Sequence, residues 1–134
     1  MLSENSLQKQ KLDSVTAARQ FFLERIGRCV QSAESLWIAH LDQKRLCMHL
    51  QSFAGDCASV ACPIRAVIGA ILEHDSSAVL LAHNHTSGNP TPSDSDRRVT
   101  RRVVLIAEAL ECRVLDHLIF AGPQSTSFRQ LGLL

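Results

Sequence analysis

The sequence predicts a single α/β domain in which a mixed β-sheet lies between helices. Short apolar runs that read as covered strands alternate with longer segments of helical periodicity, in the order α-β-β-α-β-α-β. The most apolar run, "AVLLA", sits between polar turn formers, as a strand covered on both faces would. A chain of 134 residues is one domain in length, enough to bury about two thirds of its unfolded surface in one core.

Each element has a local cause. Residues 1–13 are polar and predicted to be a flexible N-terminus, leaving 14–134 as the folded domain. Ser14 caps a helix in "SVTAARQFFLERIG", with Val15, Ala18, Phe22 and Ile26 at helical spacing and Gly27 as its stop. "ESLWIAHLD" and "LCMHLQSF" read as two strands joined by the tight connection "QKR", a hairpin broken by Gly55 and Asp56. Pro63 suits a first helical turn, and "PIRAVIGAILEHD" places Val67, Ala70 and Ile71 on one face. "SSAVLLAHNH" is the buried strand. "SDSDRRVTRRVVLIAEALEC" is a long amphipathic helix with Val99, Val103, Ile106 and Leu110 expected inward. "RVLDHLIFAG" is a further buried strand closed by Gly122 and Pro123, and "STSFRQLGLL" holds a last short strand or helical turn.

Composition narrows the class. Apolar residues make up 46% and charged residues 20%, which fits a globular domain. No apolar run is long enough to span a bilayer and the first residues lack the apolar centre of a secretion signal, so a cytoplasmic chain with no membrane partner is expected. The five cysteines form no CxxC pair and leave one thiol over from any disulfide framework, so free thiols are expected. A net charge of +1 carries no nucleic-acid signature, and any basic contact surface must be local.

One stretch carries chemistry: "AHNHTSGNPTPSDSD", residues 82–96. His83 and His85 are two apart, so on extended backbone both rings project from one face. Asp96 lies at the start of the following helix, where the dipole favours a carboxylate. Two histidines and a carboxylate leave a fourth position open, the layout of a catalytic zinc site with one zinc per chain. Gly88, Pro90 and Pro92 give the loop a tight path back towards the histidines. "SDSD" is also an ordinary helix start, with Ser93 and Asp96 as a capping pair. Ser93 could cap through its backbone and turn its hydroxyl to the site. A hydrolase further needs a carboxylate that takes a proton without binding the metal. Of Glu34, Glu73, Glu108 and Glu111, Glu34 has no evident packing role just ahead of the first strand, and it stands only slightly ahead of its reading as a solvated acid.

Glu34 followed by "HNHTSGNPTPSDSD", with H-x-H-x7-S-x2-D spacing, resembles the JAMM (JAB1/MPN) metalloprotease motif. "AVLLAHNHTSGNPTPSDSD", "RVLDHLIFAG" and "SFRQLGLL" further resemble the bacterial RadC family, across roughly residues 14–134. The resemblance implies a cytidine-deaminase-like, JAB1/MPN three-layer sandwich with a central mixed sheet. It implies zinc at His83, His85 and Asp96, Glu34 as general acid/base, and Ser93 as the group that stabilises the oxyanion. The implied reaction is attack of zinc-activated water on a peptide or isopeptide carbonyl of a peptide or protein substrate. Thr86 stands where the family usually has proline, and Ala66 where many relatives have Arg-Glu. No counterpart of the helical N-terminal domain of longer members is expected ahead of residue 14, so the family's DNA-repair label transfers weakly.

Other features have two readings. Arg97, Arg98, Arg101 and Arg102 form two i,i+4 pairs; they read first as a solvated face pairing to Asp94 or distant acids, and second as a polyanion contact beside the site. His117, inside a buried strand, reads as a satisfied core histidine or, with Asn84, as support behind the metal ligands. His40 and His49 have no ligand spacing, Trp37 reads as core, and no activated thiolate is indicated at Cys57 or Cys62. The competing function is a binding module for DNA or a repair partner with a structural zinc. A nucleoside deaminase is excluded by the lack of H-x-E and P-C-x-x-C. The apolar strands would also allow a homodimer through a sheet edge.

Overall fold

The computed structural model describes residues 10–26, 33–54 and 63–134. Among them are three helices, α1 (Val15–Ile26), α2 (Ile64–His74) and α3 (Asp94–Ala109), and five strands, β1 (Ser35–Leu41), β2 (Cys47–Ala54), β3 (Ala78–Asn84), β4 (Arg113–Ala121) and β5 (Gln124–Ser127). The sheet order is β2-β1-β3-β4-β5, with β3 and β4 parallel and every other pair antiparallel. This mixed sheet between helices is the α/β arrangement the sequence predicts.

Alternation along β3 builds the two faces. Ala78, Leu80 and Ala82 join Phe21, Phe22 and Ile26 of α1, with Leu118 and Phe120 of β4, in one core. Val79 and Leu81 join Val67 and Ile71 of α2 and Val103 and Ala107 of α3 in the other. With every residue of Ala78 to His83 buried, β3 is the covered strand its composition indicates.

Local signals set the ends. The Ser14 hydroxyl oxygen accepts from Ala17 N–H at 3.0 Å and starts α1; Gly27, Cys29, Gly55, Asp56, Cys57 and Cys62 lie outside the described residues. Asp42 Oδ1 accepts from Lys44 and Leu46 N–H and closes the β1–β2 hairpin. Val67, Ala70 and Ile71 are the buried residues of α2, as its periodicity requires. The thiols of Cys47 and Cys112 are free and buried, and burial pushes both up to about 11. Trp37 is partly buried against the α1 core. No described helix is long and apolar enough to cross a membrane.

Two expectations need correction. The frayed start ends sooner than residue 13, because Lys11 bridges Leu46, Leu12 N–H donates to Arg45 O at 2.8 Å, and Leu12 is buried in the α1 core. The inward stripe of α3 is Asp96, Thr100, Val103 and Ala107, while Val99 and Leu110 are only partly buried and Ile106 is intermediate. Its first two turns face polar partners, so the stripe is rotated away from the all-apolar one. The expected last short strand forms over Gln124–Ser127, from one residue ahead of "STSFRQLGLL", pairs with β4 and is followed by a turn.

Candidate metal centre

Topology brings the site together. β1 runs antiparallel to β3, with Leu36 opposite His83, so the residue just before β1 lies beside the end of β3. The parallel β3–α3–β4 unit returns the first turn of α3 to that same edge. Glu34, His83, His85, Ser93 and Asp96 therefore meet, although their segments are far apart in the chain.

His83 follows Val79 and Leu81 on the α2/α3 face. Its Nδ1 lies 3.1 Å from Asp96 Oδ1, and its Nε2 lies 3.5 Å from Glu34 Oε2. That Nε2 is buried and has no hydrogen-bond partner among the described residues. His85 donates from Nδ1–H to Asn89 O at 2.9 Å, which leaves Nε2 unprotonated in the neutral ring. This Nε2 is 2.9 Å from Asp96 Oδ2. Two lone-pair atoms at that distance repel unless a proton or a cation lies with them. The ligand atoms of His83, His85 and Asp96 all fall within 4.8 Å of one another, so these residues fit a small metal ion.

Asp96 is held from several sides. Ser93 N–H donates to its Oδ2 at 2.9 Å, and Ser93 Oγ accepts from Asp96 N–H at 3.1 Å, a full capping box. Ser93 thus caps through its side-chain oxygen as well as its backbone, rather than through its backbone alone. Burial would raise the Asp96 carboxyl, but hydrogen bonds from His83 and Ser93 and the charge on His83 outweigh it and hold the group well below the usual carboxylate range. Gly88 takes a left-handed φ of 83° in the connecting loop, where an added Cβ would meet nothing; its backbone conformation is what the turn requires.

The neighbours of these residues are as specific. Asn84, between the two histidines, accepts at Oδ1 from Ser35 N–H at 2.7 Å and donates from Nδ2 to Ala33 O at 2.9 Å. Its amide brackets Glu34 where the β1–β3 ladder ends. Glu34 Oε1 also accepts from Thr86 N–H at 3.5 Å. Thr100 Oγ1 donates to Asp96 O at 2.6 Å, so it must accept from His117 Nδ1–H at 2.6 Å. The expectation of a fully satisfied core histidine is thereby corrected, because His117 Nε2 is buried with no hydrogen-bond partner among the described residues. Burial, with a smaller push from His83, lowers His117 to about 3 and keeps it neutral. Phe128 stacks on its ring at 4.7 Å.

Sequence reasoning missed Thr100, although its i+4 spacing from Asp96 on an otherwise apolar stripe was a usable signal. It also missed Asp116, whose carboxylate accepts from His117 N–H, Arg129 N–H and the Ser127 hydroxyl and ties β4 to the segment after β5. Arg97, Arg98, Arg101 and Arg102 are exposed, and the expected pairing to Asp94 does not form; Arg98 donates to Ser95 Oγ at 3.1 Å. His40 and His49 lie at the far end of the sheet, where His49 stacks on His74 at 4.3 Å.

Fold and centre together define a class: an α/β domain with a candidate metal site of two histidines and one aspartate at the end of its central strand. The profile of the RadC-like JAB domain matches residues 12–133, and the chain belongs to that family. Its layered sheet agrees with a JAB/MPN-like fold. The chain is 40% identical over 121 residues to the UPF0758 protein YfjY of Escherichia coli K12, covering 90% of this chain and 75% of that protein. It is 36% identical over 122 residues to UPF0758 protein YkfG of the same organism, covering 90% and 76%. A UPF0758 protein of Vibrio cholerae is 31% identical over 134 residues, covering 100% and 84%.

Proposed function

We propose that the chain is a metal-dependent hydrolase, with zinc as its resident ion, that cleaves a peptide or isopeptide bond. The observation that carries this is the convergence of His83, His85 and Asp96, whose ligand atoms lie within 4.8 Å of one another with His85 Nε2 2.9 Å from Asp96 Oδ2. His83, His85 and Asp96 would hold the ion, and a bound divalent cation supplies a Lewis acid and a water acidic near neutral pH. Glu34 takes the proton released as water adds to the carbonyl carbon, then passes it to the leaving amine nitrogen as the C–N bond breaks. Ser93 keeps a free O–H while its oxygen caps α3, and donates it to the developing oxyanion. Asn84 positions Glu34 by bracketing it, and the Thr100–His117 pair positions Asp96 through its carbonyl.

Replacing Glu34 by Gln tests the assignment on a fluorescence-quenched peptide library. Turnover should fall by a factor on the order of 10² to 10⁴ with metal content unchanged. A Glu34→Gln chain that cleaves as fast as the parent removes the proposal. A second function, a DNA- or partner-binding module with a structural zinc, draws on the four exposed arginines that lack an acidic partner among the described residues. It requires duplex affinity that falls with salt and disappears on charge reversal of Arg97 to Arg102.

A further inference from the structure

We propose that the groove between α3 and the segment after β5 binds an extended peptide in which acidic side chains flank an apolar one. This rests on the hydrolase proposal only in making that peptide part of the substrate.

The groove encloses a cavity of about 380 Å³, and Arg97, Arg101, Val104, Leu105, Phe128 and Leu133 line it. Its lining sets Arg97, Thr100 and Arg101 beside apolar side chains. Leu105 is 63% exposed and Leu133 is 37% exposed, and they meet across one cavity with the buried Phe128, unlike apolar residues scattered singly. Arg97, Arg101 and Val104 recur at i, i+4 and i+7, so one face of α3 presents two guanidinium groups followed by an apolar patch. Neither arginine has an acidic partner among the described residues. A bound segment would supply both the missing carboxylates and the apolar contact.

Position ties the groove to the metal centre. Arg97 directly follows Asp96, and Thr100, which donates to Asp96 O, is also part of the lining. The groove thus opens within one helical turn, about 5.4 Å of rise, of a candidate ligand. Phe128 in turn stacks on His117.

Charge and polarity select the occupant. Nucleic acid would satisfy the arginines and leave Leu105 and Leu133 without a partner. A second copy of this chain, docked by a two-fold axis through this face, would set Arg97 and Arg101 against their own copies. An acidic, apolar peptide satisfies both halves of the surface.

The test is fluorescence anisotropy on the full chain carrying Glu34→Gln, which removes cleavage from the readout. The probes are a short labelled peptide with glutamates flanking two leucines, its Leu→Ser and Glu→Lys counterparts, and a duplex DNA competitor. The first peptide should bind at least about tenfold more tightly than either counterpart. Combined Arg97→Glu and Arg101→Glu should weaken it by about tenfold or more and strengthen the lysine peptide, and Leu105→Ser should weaken it several-fold, with unchanged melting temperatures. Equal binding of the serine peptide, or full displacement by DNA, would make the groove a polyanion site and overturn the proposal. So would no binding of the first peptide. Peptide binding without turnover in the parent chain would instead count against the hydrolase assignment alone.

Discussion

His85 shows how much a single residue can decide. Its Nδ1–H is committed to the Asn89 carbonyl, so the loop that returns the chain to α3 also chooses which nitrogen faces Asp96. Asn84 is comparable. A side chain between two candidate ligands holds the backbone on both sides of Glu34. Replacing Asn84 by Ala should leave metal content intact and lower turnover on the order of tenfold to hundredfold, mostly in kcat, because a slightly misplaced base still meets bound substrate. An unchanged kcat in that variant would mean that Glu34 is held by Thr86 and the strand alone. Glu34 could be singled out from the chain only narrowly. Its partners lie across the sheet, 49 residues away in the case of Ser35 and Asn84, and no local spacing encodes that distance.

At the scale of elements, α3 carries both the strongest local signal and the clearest misreading. "SDSD" is legible as a cap, and the reciprocal Ser93–Asp96 bonds form as that pattern requires. Ser93→Ala should cost about 1 kcal/mol of stability, measured by the urea midpoint, and loosen the carboxylate that the same box holds. A change within error would mean that backbone contacts alone fix this turn. The inward stripe departs from the expected one because apolar periodicity does not register buried polar residues. Asp96 and Thr100 occupy the two turns that face the centre, and the fully buried apolar residues of α3 begin at Val103, with Val99 partly buried against the same core. β3 was legible for the opposite reason: covered on both faces, it needs no alternation and shows none. The parallel pairing of β3 with β4 follows from the intervening helix, whereas the placement of β1 beside β3 depends on tertiary packing.

In the whole molecule, the two ends of the sheet carry histidines for different purposes. At the end away from the candidate metal centre, His40 is buried, with Ser76 Oγ 2.8 Å from Nδ1 and Gln51 Oε1 2.7 Å from Nε2. Burial lowers it to about 4 despite the Gln51 hydrogen bond, and His49 and His74 add to the depression. Since its folded pKa lies below the ordinary 6.5, the unfolded chain takes up the proton first as pH falls. His40 therefore contributes no penalty above pH 6.5 and withdraws stability between 6.5 and about 4, by about 3 kcal/mol at most. His117, lowered to about 3, acts in the same direction. Melting temperature should drop from pH 7.5 to pH 5, and His40→Gln should flatten part of that slope; an unaltered slope would contradict the assignment.

The two cores and the crossover exist, in functional terms, to bring one strand end, one helix start and one strand approach to a single point. If that point is a zinc centre, zinc will follow the histidine. Elemental analysis of the purified chain beside His83→Ala tests this most directly. About one zinc per chain in the parent and little in the variant, at equal folding, is the predicted result. Equal metal in both, or none in the parent after incubation with zinc, would contradict it.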